Sequence, residues 1–150
     1  MTVDIYKNLR VSIIRFIKDQ IADLNSTYGR GVEYYDFGNH ADNQEIPDGD
    51  LIGLTSFGVT NDTNDHEVVF GIGLSTWQDA GSFNLADYVS SFYDQMQNGM
   101  IFPIYDHSDA SQIGTASFQA GTTCSIMARV EIRPFVQVSA NVRVSFRKVP

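Results

Sequence analysis

Apolar and polar residues alternate along the last part of the chain. From Ile126 to Phe146 every even-numbered position is apolar, whereas most odd-numbered positions are polar. This period of two predicts β-strand with one face buried and the other in water. One straight strand of that length would span about 70 Å, which does not fit inside a compact domain with a radius of gyration of about 15 Å.

Pro134 predicts a break in this run, because proline has no N–H to give to a strand ladder. The run either folds back as a hairpin near Arg133 to Phe135 or bends there and leaves the body of the domain. No Gly, Asn or Asp stands beside Pro134 to form a tight turn, which favours the bent, protruding ribbon. A protruding ribbon would bury its apolar face only against another subunit, so the run also suggests self-assembly.

The rest of the chain shows both helical and strand periods. Apolar residues at spacings of three and four predict amphipathic helices over Asp4–Leu24 and Ser82–Gly99. Shorter apolar runs bounded by turn residues predict strands over Val32–Phe37, Leu51–Val59, Glu67–Trp77 and Met100–Asp106. Two polar segments, Gly38–Asp50 and His107–Thr123, are predicted to be long loops.

These elements predict the fold class. Helices and strands do not alternate regularly, and no internal repeat or domain linker is visible. We therefore expect residues 1–150 to form a single α+β domain, in which two main amphipathic helices pack on an antiparallel or mixed sheet.

Composition limits the cellular compartments in which we expect the protein. No apolar run approaches the roughly 20 residues of a membrane helix, and the charged N-terminal segment is unlike a signal peptide. The single cysteine, Cys124, excludes an internal disulfide and favours a reducing compartment.

Charge is distributed unevenly along the chain. The net charge is −8, and all ten Lys and Arg lie before Gly31 or after Ala128. The intervening 98 residues hold 14 of the 18 acids and no cation. This pattern predicts a negative surface that repels polyanions or contacts a cationic surface on another copy. It disfavours nucleic-acid binding by this segment, because phosphate binding relies on Lys and Arg.

No motif in the chain indicates a catalytic centre. The three histidines, His40, His66 and His107, lie among acids in predicted loops without the spacing of a known metal motif. We predict no catalytic residue, no metal site and no cofactor. The alternative is a small enzyme or ligand-binding α+β domain whose metal-assisted site is formed by Asp36, His40 and Asp42, or by Asp65, His66 and Glu67.

The order of elements resembles the tail terminator proteins of long-tailed bacteriophages. The similarity rests on the N-terminal helix ("DIYKNLRVSIIRFIKDQI"), the hairpin with its acidic turn ("DGDLIGLTSFG…HEVVFGIGLSTW"), the second helix ("NLADYVSSFYDQM") and the terminal run ("ARVEIRPFVQVSANVRVSF"). It implies a homohexameric ring in the virion, assembled in the host cytoplasm. Such a ring caps the tail tube, joins it to the neck or connector, and lets DNA pass through an acidic lumen without sequence-specific binding. A tail-tube or baseplate protein is the nearest alternative within this class.

The resemblance also suggests roles for particular residues. Contacts between subunits are expected at Arg129, Arg133, Arg143, Arg147 and Trp77. An acidic lumen or partner-binding loops are expected at Asp42, Glu45, Asp48, Asp50, Asp62 and Asp65. Tail-tube and neck or connector proteins are the expected partners, and no membrane is expected to take part.

Overall fold

The computed structural model describes residues 4–39, 45–61, 66–76, 82–126 and 134–146. Two helices, seven strands and one short 3-10 helix form there. In chain order they are α1 (Ile5–Tyr28), β1 (Glu33–Tyr34), the 3-10 helix (Phe37–Asn39), β2 (Leu51–Asn61), β3 (His66–Ser75), α2 (Ser82–Gln95), β4 (Ile101–Tyr105), β5 (Gln112–Phe118), β6 (Thr123–Ile126) and β7 (Phe135–Phe146).

All seven strands belong to one mixed sheet. Its order is β1-β2-β3-β7-β5-β4, and β6 pairs with β7. β1 runs parallel to β2, and every other pair is antiparallel. Because β3 covers one side of β7 from Phe135 to Val144, β5 and β6 share the other side of β7. The predicted α+β class with two helices on a mixed sheet is confirmed.

The terminal alternating run forms a hairpin, so the expected bent and protruding ribbon is wrong. β6 and β7 pair antiparallel, with Ile126 opposite Val136. β7 lies in the interior of the sheet, where its apolar residues face the core of the same chain. Residues 127–133, which connect the two strands, lie outside the described residues.

A strand also lies where the sequence predicted a loop. β5 occupies Gln112–Phe118 within the predicted loop His107–Thr123 and pairs with both β4 and β7. Gln119 N–H donates to Asn141 C=O at 2.9 Å, which keeps the chain beside β7 between β5 and β6. Gly121, with φ +103°, lies in the short connection to β6.

Both helices pack on one face of the sheet. Residues of α1 spaced three or four apart are almost completely buried, as are those of α2. They meet the inward side chains of β3 and β7 in one continuous core. Its helical members are Leu9, Ile13, Ile17, Ile21, Leu24, Leu85, Tyr88, Phe92 and Met96.

Two buried polar residues attach α1 to the end of β4. Ser12 Oγ accepts a hydrogen bond from Tyr105 N–H at 2.8 Å and donates to Asn8 C=O at 2.8 Å. Asn8 Oδ1 accepts from His107 N–H at 2.9 Å. These bonds satisfy backbone donors where β4 leaves the sheet, so they fix the helix along the strand.

The predicted strand Val32–Phe37 is shortened to two residues. Asp36 accepts hydrogen bonds from Gly38 N–H at 3.1 Å and from the Asn39 side chain at 3.1 Å, and it forms an ion pair with Arg10. These contacts turn the chain into the 3-10 helix after Tyr34. The sequence period is therefore overridden by a local turn and a long-range ion pair.

Candidate interaction surface

One face of the sheet carries neither α1 nor α2, and we call it the uncovered face. The 3-10 helix borders it near the beginning of β2, where the Phe37 and Phe135 rings lie 5.1 Å apart. Its side chains alternate with those of the core along each strand, and most carry hydroxyl or amide groups. Apolar side chains also lie on it, among them Val69, which is 47% exposed, Ile101 of β4, and Phe135, which contacts the Phe37 ring. The polar members on the central strands are Glu67, Thr115, Ser117, Gln137, Ser139, Asn141, Arg143 and Ser145.

Arg143 is the predicted interface residue that the structure describes. It is exposed on the uncovered face, opposite Glu67 of β3 and Ser117 of β5 in the strand registers. An opposite-charge neighbour across strands contributes only about 0.2–1 kcal/mol, so Arg143 is available to a second partner. Arg129, Arg133, Arg147 and Trp77 lie outside the described residues.

The structure describes three of the predicted acidic residues. Glu45 and Asp48 are exposed just before β2 begins, and Asp50 is half-buried. Asp42, Asp62 and Asp65 lie outside the described residues.

Asp50 is held inside its own chain. It is half-buried, and its carboxylate accepts hydrogen bonds from Thr76 Oγ1 at 2.9 Å and from the Tyr88 hydroxyl. Burial and the adjacent Asp50 carboxylate raise the pKa of Tyr88 well above its usual range. Arg30 packs against the Tyr88 ring and pairs with Asp87 at 2.9 Å. Sequence reasoning missed this network because its members come from four separate segments of the chain.

Three of the four cations of α1 are engaged within the chain. Arg10 pairs with Asp36, the Arg15 guanidinium lies 4.0 Å from the centre of the Tyr105 ring, and Lys18 lies 5.3 Å from the centre of the Tyr34 ring. Cation–π contacts of this kind contribute about 0.5–1 kcal/mol at exposed sites. The basic N-terminal segment thus helps to fix the helix on its own sheet.

A polar groove of about 200 Å³ lies beside the outer edge of β2. The strand carries a β-bulge there, between Leu54 and Ser56. Thr55 Oγ1 is buried at the bulge and has no hydrogen-bond partner. The polar lining residues are Tyr6, Arg10, Asp36, Asn39, Thr55 and Ser56.

Of the residues in the two alternative metal-assisted sites, the structure describes Asp36, His66 and Glu67. Asp36 pairs with Arg10, and the His66 ring contacts the Phe146 ring at 5.4 Å between centroids. His40, Asp42 and Asp65 lie outside the described residues. Within the ranges that the structure describes, no three His, Cys, Asp or Glu side chains come together to hold a metal ion.

Comparison with known proteins finds a similar fold but identifies no family. No family model and no curated protein matches the sequence. A solved structure whose name describes no function is similar over 95% of this chain and 97% of its own, with a TM-score of 0.56 and 10% sequence identity. At that identity the similarity shows a shared fold alone.

Neither helix in the described ranges combines the length and the apolarity that crossing a bilayer requires.

Proposed function

We propose that this protein is a virion structural protein, a tail terminator whose homohexameric ring caps the tail tube and joins it to the neck or connector. The observation that carries the proposal is the segregation of charge. The cation-free segment Gly31–Ala128 supplies β1 to β6 and α2, so every Lys and Arg belongs to α1, β7 or the residues next to them.

This segregation suits a pore for DNA. Phosphate backbones are held by Lys and Arg, and most of this sheet can offer neither. The Arg and Lys side chains of α1 that contact Asp36, Tyr34 and Tyr105 are already engaged. A lumen lined by the cation-free segment would repel phosphates and let DNA slide.

The uncovered face and its exposed Arg143 support an assembly of copies. A closed ring requires a heterologous contact, in which two different surfaces of the chain meet. Basic residues near and within β7 on one copy and the acidic segment on the next provide opposite charge for such a contact. Tail-tube and neck or connector proteins are the partners proposed for the two ends of the ring.

Native mass spectrometry across protein and salt concentration tests the ring. We expect one discrete closed oligomer, a hexamer, whose population falls as salt screens the charges. A chain that stays monomeric at every concentration would contradict a self-closing ring.

DNA binding gives an independent test of the lumen. We expect fluorescence anisotropy with a labelled duplex to show no binding at physiological salt, because the acidic segment repels phosphate. Saturable binding that weakens steeply with salt would reveal phosphate contacts and contradict an acidic passage.

A further inference from the structure

The outer edge of β2 is unpaired along more than half its length. β1 pairs only with Leu51 and Ile52, and Tyr35 N–H adds one bond to Ile52 C=O at 3.0 Å. Beyond that point the backbone of β2 pairs only with β3, as far as the described residues show. The open segment, Ser56–Asn61, contains the strand-forming residues Phe57, Val59 and Thr60 and no charge, so it presents a template for another strand.

The groove at the bulge marks the same edge as a docking place. The groove borders the open segment at Ser56 and Phe57, and Tyr6, Arg10 and Asn39 contribute polar groups to its lining. A backbone laid along the open segment would pass beside this groove.

The opposite side of the sheet offers one closed and one open edge. β4 has Pro103 at its centre, and proline blocks the addition of a further strand. β6 pairs with β7 and with no other strand of the described sheet. Its start is anchored to α2, since Thr122 Oγ1 donates to Met96 C=O at 3.0 Å.

We propose that the open segment of β2 in one copy pairs antiparallel with β6 of the next copy, so that the sheets of neighbouring copies join edge to edge around the ring. This inference rests on the proposed ring and specifies its interface. The two edges lie on opposite sides of one sheet, so the contact is heterologous, as a ring requires. Within one copy β6 already runs antiparallel to β2. A neighbour's β6 beside β2 therefore keeps adjacent strands of the joined sheet antiparallel.

The positions of the two edges fit a closed sheet. The registers of β7 and β3 place β6 at the same height in the sheet as Ile52–Ser56 of β2. The open segment Ser56–Asn61 lies further along β2. Joining the edges shifts neighbouring copies by about five residues, or roughly 15 Å, across four strands that span roughly 19 Å. The resulting tilt is about 40°, within the usual range for closed sheets.

Charge agrees with this pairing. The residues after β6 include Arg129 and Arg133. Glu45 and Asp48 precede β2 as exposed acids. We therefore expect these basic and acidic residues, both predicted from the sequence, to strengthen the contact between copies.

Cysteine cross-linking in the full chain tests the edges. In a Cys124→Ser background, Thr123→Cys on β6 is combined with Gly58→Cys or with Thr60→Cys on β2. Thr60 and Thr123 are exposed, and a Cβ at Gly58 meets nothing closer than Val69 C=O at 4.0 Å. Two positions are used because disulfides tolerate only short Cβ separations. Ile101→Cys on β4, which is 68% exposed, replaces Thr123→Cys in the control pair.

We expect a ladder of disulfide-linked species larger than dimers from one of the β2–β6 pairs, and none from the single variants or the β4 control. Dimers from Thr60→Cys alone would show that two β2 edges pair with each other, which overturns the proposal. A hexamer by native mass spectrometry without any ladder overturns the edge pairing but keeps the ring. Monomers throughout overturn both.

Charge reversal provides a second measurement. We expect Arg129→Glu with Arg133→Glu to weaken assembly at least roughly tenfold, because like charges then face each other across the interface. Adding Glu45→Arg and Asp48→Arg in the same chain should restore it. The control, Lys7→Glu with Lys18→Glu, makes the same change in net charge on α1. Equal weakening by the control, or no restoration, overturns the proposal.

Discussion

At the scale of single residues, Tyr88 connects the buried polar groups. Its side chain is fully buried, and its hydroxyl donates to Asp50, which Thr76 also contacts. The backbone C=O of Asp50 also accepts a hydrogen bond from Glu33 N–H at 3.1 Å, beside the start of β1. The network therefore fixes the beginning of β2 relative to α2.

Removing the Tyr88 hydroxyl tests this role. We expect Tyr88→Phe to lower the free energy of unfolding by about 1–3 kcal/mol, because the half-buried Asp50 carboxylate loses a charge-assisted hydrogen bond. Urea denaturation measures the change. Tyr93→Phe is the matched control, since Tyr93 is 38% exposed and its contact with Thr122 C=O is long, at 3.5 Å. Similar losses in both variants would argue against a specific role for Tyr88.

The raised pKa of Tyr88 predicts a pH effect. In the unfolded chain tyrosine ionises near pH 10, whereas burial and Asp50 keep the hydroxyl protonated to higher pH in the folded chain. The unfolded state therefore loses its proton first, and stability falls as pH rises above about 10. Melting temperatures measured through this window should fall more steeply for wild type than for Tyr88→Phe. Parallel curves would assign the loss to other groups.

At the scale of elements, Pro103 keeps β4 as the end of the sheet. Thr115 of β5 is its register partner, and the outer side of β4 has no strand partner in the described sheet. A proline at an edge leaves an approaching strand without one N–H, which discourages unwanted pairing.

Replacing this proline should open a second edge. We expect Pro103→Val to increase self-association beyond the native oligomer, seen as a rise in light scattering with protein concentration, because β4 would gain an N–H facing outward. Pro47→Val, in the segment before β2, is the control. Unchanged scattering would mean that another feature protects β4.

The period of the sequence predicted both helices and the strands β2, β3, β4 and β7, but β5 was missed. Its segment "QIGTASF" reads as a loop because small and polar residues dominate it. The structure requires the glycine: a Cβ on Gly114 would lie 2.6 Å from Ser145 C=O. The need for glycine at position 114 comes from β7, about thirty residues later in the sequence, so the residues around Gly114 do not reveal it.

The candidate surface was predictable only in part. Alternation along β7 indicated that Arg143 faces away from the core, and the structure agrees. The bonding of Asp50 was hidden because Thr76 and Tyr88 lie 26 and 38 residues away in sequence. The spacing of apolar residues predicts which face of a strand a side chain lies on, whereas its hydrogen-bond partners depend on the tertiary fold.

At the scale of the whole molecule, β7 joins the two halves of the sheet. β2 and β3 lie on one side of it, and β4, β5 and β6 lie on the other. Its inward residues Val138, Val142 and Val144 are fully buried.

Deleting β7 should therefore prevent folding altogether. We expect a chain that ends at Arg133 to lose its cooperative urea transition, because β3 and β5 would lose their shared partner. Far-ultraviolet circular dichroism and denaturation measure this. A chain that ends after Phe146 is the control and should keep the transition. A truncated chain that unfolds cooperatively would show that β7 is dispensable to the core.

The interior position of β7 also sets the order of events during synthesis. The ribosome releases α1 and β2 to β6 before the strand that joins them has left the exit tunnel. Until then the pairing sides of β3 and β5 lack their partner, a situation that favours aggregation. Native structure must wait until β7 has left the exit tunnel, so only chains that contain β7 can assemble.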